Sequence, residues 1–191
     1  MSLVELIAQA DDRSLAAGGL ACLDRCLPLL GGADDDVLRP LWSSLDAGGA
    51  GWGEELALVR KAYGAVGEAT AGETTVGETT VGETTVGETS DEGAALVHRM
   101  LSATPDRFPS PDLRAWADAC SAASLQIHRL LDATSPADTD GPLTSGELRR
   151  QTRVLDLLAT PGGGLRQALV VSTEGRRVVR AVVSRRARVH G

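Results

Sequence analysis

Three cysteines, three histidines and one run of aspartates are the residues of this 191-residue chain whose types could do chemistry. Cys22 and Cys26 stand one helical turn apart, and Cys120, His98 and His128 would complete a zinc set. Zinc modules take their ligands in closely paired groups, whereas here a helical Cys-x3-Cys has only scattered partners. Cysteine is also among the most buried residue types. Cys22, Cys26 and Cys120 are therefore expected in the core, with no metal site and no cofactor. His128 and Asp132, four residues apart, read as a surface pair on one helix.

Asp34-Asp35-Asp36 would suit magnesium beside a phosphate substrate, but no second acidic cluster faces it in the pattern. Acids at a helix start explain the triplet. The loop Gly48–Gly53 follows no strand and has the wrong glycine offsets for a dinucleotide fingerprint. The only lysine, Lys61, belongs to no phosphate loop, and neither a Gly-x-Ser-x-Gly elbow nor a His-Glu-x-x-His helix occurs. No catalytic residue emerges, and the expectation is a protein that is not an enzyme.

Charge is the stronger signal. The formal net charge is −7, yet residues 165–191 hold seven arginines against Glu174, giving +6 and leaving −13 on the remainder. Arg176, Arg177, Arg180, Arg185, Arg186 and Arg188 are the candidate contacts for an anion or a partner. The same tail would suit nucleic acid, but the acidic body and a 3% aromatic content favour a protein partner. Thr74, Thr79 and Thr84, in Glu-Thr-Thr steps, are candidate phosphorylation sites.

The elements that must position these residues are mostly helices. Apolar residues make up 42% of the chain, with few aromatics, so the core must be built from Leu, Val and Ala. Ser2 and Glu5 have capping-box spacing, and Asp11-Asp12 can cap a second helix carrying Leu20, Leu23, Leu27 and Leu30. Pro28 should end that helix, and Pro40 should open the next. Leu56, Val59, Tyr63 and Val66 continue the helical spacing. Ser110-Pro111-Asp112 and Thr144 with Glu147 mark two more helix starts.

Between these helical regions the chain repeats Gly-Glu-Thr-Thr-Val, three identical copies flanked by an imperfect and a truncated one. A five-residue period puts successive valines 140° apart on a helix and on alternate faces of a strand, given about 100° and 180° per residue. The repeat therefore reads as a disordered linker. The divisions are 1–66 helical, 67–91 linker, 92–164 helical and 165–191 basic tail. In the tail, Ala168–Thr173, Glu174-Gly175 and Arg176–Val183 suggest a β-hairpin. A short basic helix is the alternative, with Val178, Val179, Val182 and Val183 on one side.

Residues 37–67 contain Leu-Arg-Pro-Leu-Trp-Ser-Ser-Leu-Asp and then Leu-Val-Arg-Lys-Ala-Tyr-Gly. This stretch resembles one HEAT repeat, in which a proline-bearing helix precedes a helix with a Val-Arg pair. The resemblance covers about 30 residues and implies helical hairpins. The fold expected is a mainly α bundle, cytoplasmic given no basic leader and no run of ~18–20 apolar residues. The function expected is protein–protein interaction or regulation through an unidentified partner. Nucleic-acid association through the tail is the alternative.

Overall fold

Ser2 begins the first helix as expected. Its hydroxyl accepts from Glu5 N while the Glu5 carboxylate accepts from Ser2 N, and α1 runs Leu3–Gln9. Asp11 then caps α2 (Asp12–Cys26) by accepting from Ser14 N at 2.8 Å. The computed structural model describes residues 2–31, 36–70, 86–132, 140–160 and 164–189, with backbone alone at 65–70, 86–89 and 189. After α2 comes a 3₁₀ turn at Leu27–Leu30 around Pro28, then α3 (Arg39–Asp46), α4 (Trp52–Thr70), α5 (Val86–Ser102), α6 (Leu113–Leu131), α7 (Pro142–Leu158) and α8 (Leu165–Val189). Every regular element among the described residues is helical.

The α2 helix is the centre of the fold. It is buried almost all round and packs against α6, α7 and α8, as a helix lacking a polar face must. Leu20 and Leu23 are buried there, and Leu27 in the turn that follows, as the spacing predicts. Each contributes about 2 kcal/mol if fully removed from water. Gly19 brings α6 close: a Cβ there would lie 2.5 Å from the Trp116 ring. Buried apolar residues from Leu6 to Val179 form one cluster, so the regions before and after the repeat share a core.

The β-hairpin expected in the tail is corrected, because α8 runs as one 25-residue helix straight through Glu174-Gly175. Leu165, Ala168, Ser172, Arg176 and Val179 recur at three- and four-residue spacing and are buried, with Val182 and Val183 half-buried beside them. A strand would send Val178 and Val179 to opposite faces. The helix keeps the valine pairs on the side facing α2 and α7, and burial of that stripe decides the conformation.

The ends of the repeat carry helical backbone, since α4 reaches Thr70 and α5 starts at Val86. Residues 71–85, the centre of the expected linker, lie outside the described residues. The helices on either side are pinned by hydrogen bonds. Arg60 donates to the carbonyls of Leu101, Ser102 and Thr104 and pairs with Asp106, while Trp52 Nε1 donates to Pro105 O at 2.8 Å. Arg60 thus satisfies the open carbonyls at the α5 C-terminus.

Candidate functional site

Two groups of charged residues stand out, one sealed inside the fold and one on its surface. The inner group forms where α2, α6 and α7 meet. Arg25 and Glu147 are both completely buried. Arg25 Nε donates to both Glu147 oxygens at 3.1 and 2.9 Å, and Nη2 donates to Oε1 at 2.6 Å. Glu147 Oε1 accepts further from Ser124 Oγ at 2.8 Å and Gln151 Nε2 at 3.0 Å. Burial by itself would raise the Glu147 carboxyl, but Arg25 and these donors outweigh it and hold it down at about 2.

His128 completes the group. Its Nδ1 lies 2.7 Å from the Ser124 carbonyl, which can only accept, so Nδ1 carries the ring proton. The neutral ring then turns the bare Nε2 toward Glu147 Oε2 at 3.6 Å. Burial lowers the pKa of His128 and Glu147 opposes that shift, with a net lowering that keeps the ring neutral. The expected His128–Asp132 surface pair is corrected: both residues are buried, and Asp132 instead accepts from Leu143 N, Thr144 N and Thr144 Oγ1, closing the start of α7. The helix start expected at Thr144 with Glu147 is likewise corrected, for α7 opens at Gly141-Pro142 and Glu147 is buried.

The three cysteines are free and buried, as the sequence predicts. Cys22 and Cys26 flank Arg25 on α2. Cys22 Sγ accepts from Arg25 Nη2 at 3.4 Å, and Cys26 Sγ lies 3.4 Å from Ser124 Oγ. Ser124 commits its proton to Glu147, so the Cys26 thiol is the donor there. Burial pushes Cys22 up to about 12 and raises Cys26 and Cys120 as well, leaving all three as unreactive thiols. A cavity of about 20 Å³ beneath α1, bordered by Leu3, Ile7, Arg25 and Gln151, has room for one water.

The outer group belongs to α8. Of the six arginines marked by the sequence, Arg176 faces inward, its Nη1 2.9 Å from Asp24 Oδ1, with Ser172 Oγ donating to Asp24 Oδ2 at 2.6 Å. Arg186 is half-buried and donates to the carbonyls of Leu130 and Leu131, at the end of α6. Arg177, Arg180, Arg185 and Arg188 are exposed, as is Arg166 in the first turn of the helix. Arg166, Arg177 and Arg188 recur every eleven residues, about three turns, and so line up along one side. Glu174 is the only acid on that outer surface.

Thr74, Thr79 and Thr84 lie outside the described residues, as do Asp34 and Asp35. Asp36 pairs with Arg39 at 3.3 Å, and α3 opens on Pro40 without a side-chain cap. Among the described residues no helix is long and apolar enough to cross a membrane. Sequence reasoning missed Arg25 and Glu147. The available signal was the apolar ring around Asp24-Arg25 in α2, because charges within an all-buried helix must be paired. Helix contacts and buried charges thus define an α-helical protein organised around α2. The chain matches no known protein family, no curated protein and no solved structure.

Proposed function

We propose that this chain is a non-enzymatic interaction protein that binds an acidic protein surface through the outer face of α8. The observation that carries this reading is the division of labour along α8. Its inner face is consumed by packing and by the Arg176–Asp24 pair, while Arg166, Arg177, Arg185 and Arg188 project outward with little acid beside them. Guanidinium groups recognise carboxylates in a fixed planar fork, and a rigid helix presents them at low ordering cost. The scarcity of aromatic residues, on which bases would stack, favours a protein partner over nucleic acid. The absence of an enzymatic role belongs to the same proposal, since the ionisable groups best placed to exchange protons, Glu147 and His128, are sealed from solvent. The reading of α3 and α4 as a HEAT-like hairpin also belongs here, because such units build partner-binding surfaces.

The test is fluorescence anisotropy with two labelled probes, poly-glutamate and a random-sequence DNA duplex, at low and high salt. The expected result is salt-sensitive binding of poly-glutamate that the double variant Arg177→Glu/Arg188→Glu abolishes. Preference for the duplex would replace this reading with nucleic-acid association, and binding of neither probe would remove both.

A further inference from the structure

The α5–α6 hairpin carries short side chains on its outer side. Ala119, Ala122, Ala123 and Gln126 recur at three- and four-residue spacing on one side of α6, and Leu96, Met100 and Ala103 of α5 border the same space. An alanine ends at Cβ, so the two helices leave a groove of about 320 Å³ between them. The floor is apolar, with Leu96, Met100 and Trp116 each no more than 4% exposed. Trp116 Nε1 donates to Met100 O at 3.0 Å, which holds the indole against α5. Gln126 Nε2 donates to Glu92 Oε1 at 3.2 Å and bridges the two helices toward the start of α5.

One charge belongs to this lining, the exposed Arg99, and no acid does. An arginine lays its stem along apolar surface while its head stays in water, and its planar fork matches a carboxylate. The volume falls within the range of small-molecule sites, about 300–1,000 Å³. The Gln126–Glu92 bridge crosses the path that a partner helix would take along the hairpin, so a small occupant fits better than a docked helix.

We infer that the α5–α6 groove binds a small free carboxylic acid with an unbranched, medium-length alkyl chain. The chain covers Leu96, Met100 and Trp116, and the carboxylate pairs with Arg99 at the rim. Burial of the apolar tail drives binding, while Arg99 selects the sign of the head group. The groove shares no residue with the outer face of α8, so its ligand is a second one, independent of any acidic protein held there.

The experiment is isothermal titration calorimetry of the full chain with sodium octanoate below its micelle concentration. Octyltrimethylammonium, with the same tail and the opposite charge, and sodium acetate, with the head and no tail, are the comparisons. Octanoate should saturate a single site, and the other two should bind about tenfold more weakly or worse. Ala119→Leu and Ala122→Leu fill the groove from exposed positions and should abolish binding, while Ala57→Leu on the exposed side of α4 should keep it. Arg99→Gln should weaken octanoate by about tenfold and leave the ammonium ligand no weaker. A lack of saturable binding, equal affinity for the two charges, or unchanged affinity in Ala119→Leu would overturn the site. Sedimentation without ligand should be the same for the native chain and Ala119→Leu; a native dimer that this substitution dissolves would give the groove to a second copy and overturn the site too.

Discussion

Arg25 and Arg177 are the same residue type with opposite fates. Arg25 is fully enclosed and holds Glu147 through three hydrogen bonds, while Arg177 stands in solvent on the far side of α8. In the sealed region each charge is committed to the fold, and removing a partner leaves the other stranded in a medium of low dielectric. On the outer face a charge can be reversed with little structural cost. The difference separates residues that determine whether the chain folds from residues that are available to a partner.

The comparison can be broken first at Glu147. Glu147→Ala should cost about 3–5 kcal/mol in urea unfolding, because Arg25 remains charged and buried alone. Combining Arg25→Met with Glu147→Leu should recover most of that loss. If the single substitution costs less than about 1 kcal/mol, the inner region is not the sealed network described. Gly19→Ala comes next. Its new methyl would meet the Trp116 ring at 2.5 Å, and overpacking of this kind costs about 1–3 kcal/mol, read as a lower urea midpoint at unchanged slope.

Acid sharpens the contrast. His128 has a folded pKa below its unfolded value, so the unfolded chain binds the extra proton. Its contribution is therefore complete above pH ~6.5 and is lost as pH falls through that value toward the folded pKa, with a slope of at most about 1.4 kcal/mol per pH unit. Glu147 is lowered too, to about 2, and its contribution is lost only below about 4.5, the ordinary carboxylate range. Melting curves between pH 7 and 5 should thus isolate His128, and His128→Gln should flatten them. The smallest effect belongs to the surface: Arg177→Glu/Arg188→Glu should change stability by no more than about 0.5 kcal/mol, however much it changes binding to poly-glutamate.

Local rules made much of the fold legible. Ser2 with Glu5, Asp11, Pro28, Pro40 and the leucines of α2 all act at a range of one or two turns, where the signal and its cause lie together in the chain. The tail was harder, because its valine pairs fit neither strand alternation nor an isolated helix without knowledge of what covers them; contact with α2 and α7 supplies that. The inner charged group was least legible. Arg25 and Glu147 are 122 residues apart, and Glu147 carries a plausible local meaning as a capping residue that its long-range partner overrides. The buried cysteines needed only their residue type. The outer arginines were visible as composition, but which of them point outward follows from the helical phase of α8, which assigns Arg176 to the interior.

The pinning of α4 to the end of α5 has an evolutionary consequence. Arg60 and Trp52 grip residues 101–106 directly, and α2 grips α6, α7 and α8, so the alignment of the core does not depend on the covalent path between Thr70 and Val86. Copies of the five-residue unit can be gained or lost by slippage during DNA replication while the core contacts keep their register. Natural variants of this chain differing by multiples of five residues at that point should share one melting temperature, and two co-expressed fragments divided there should reassemble.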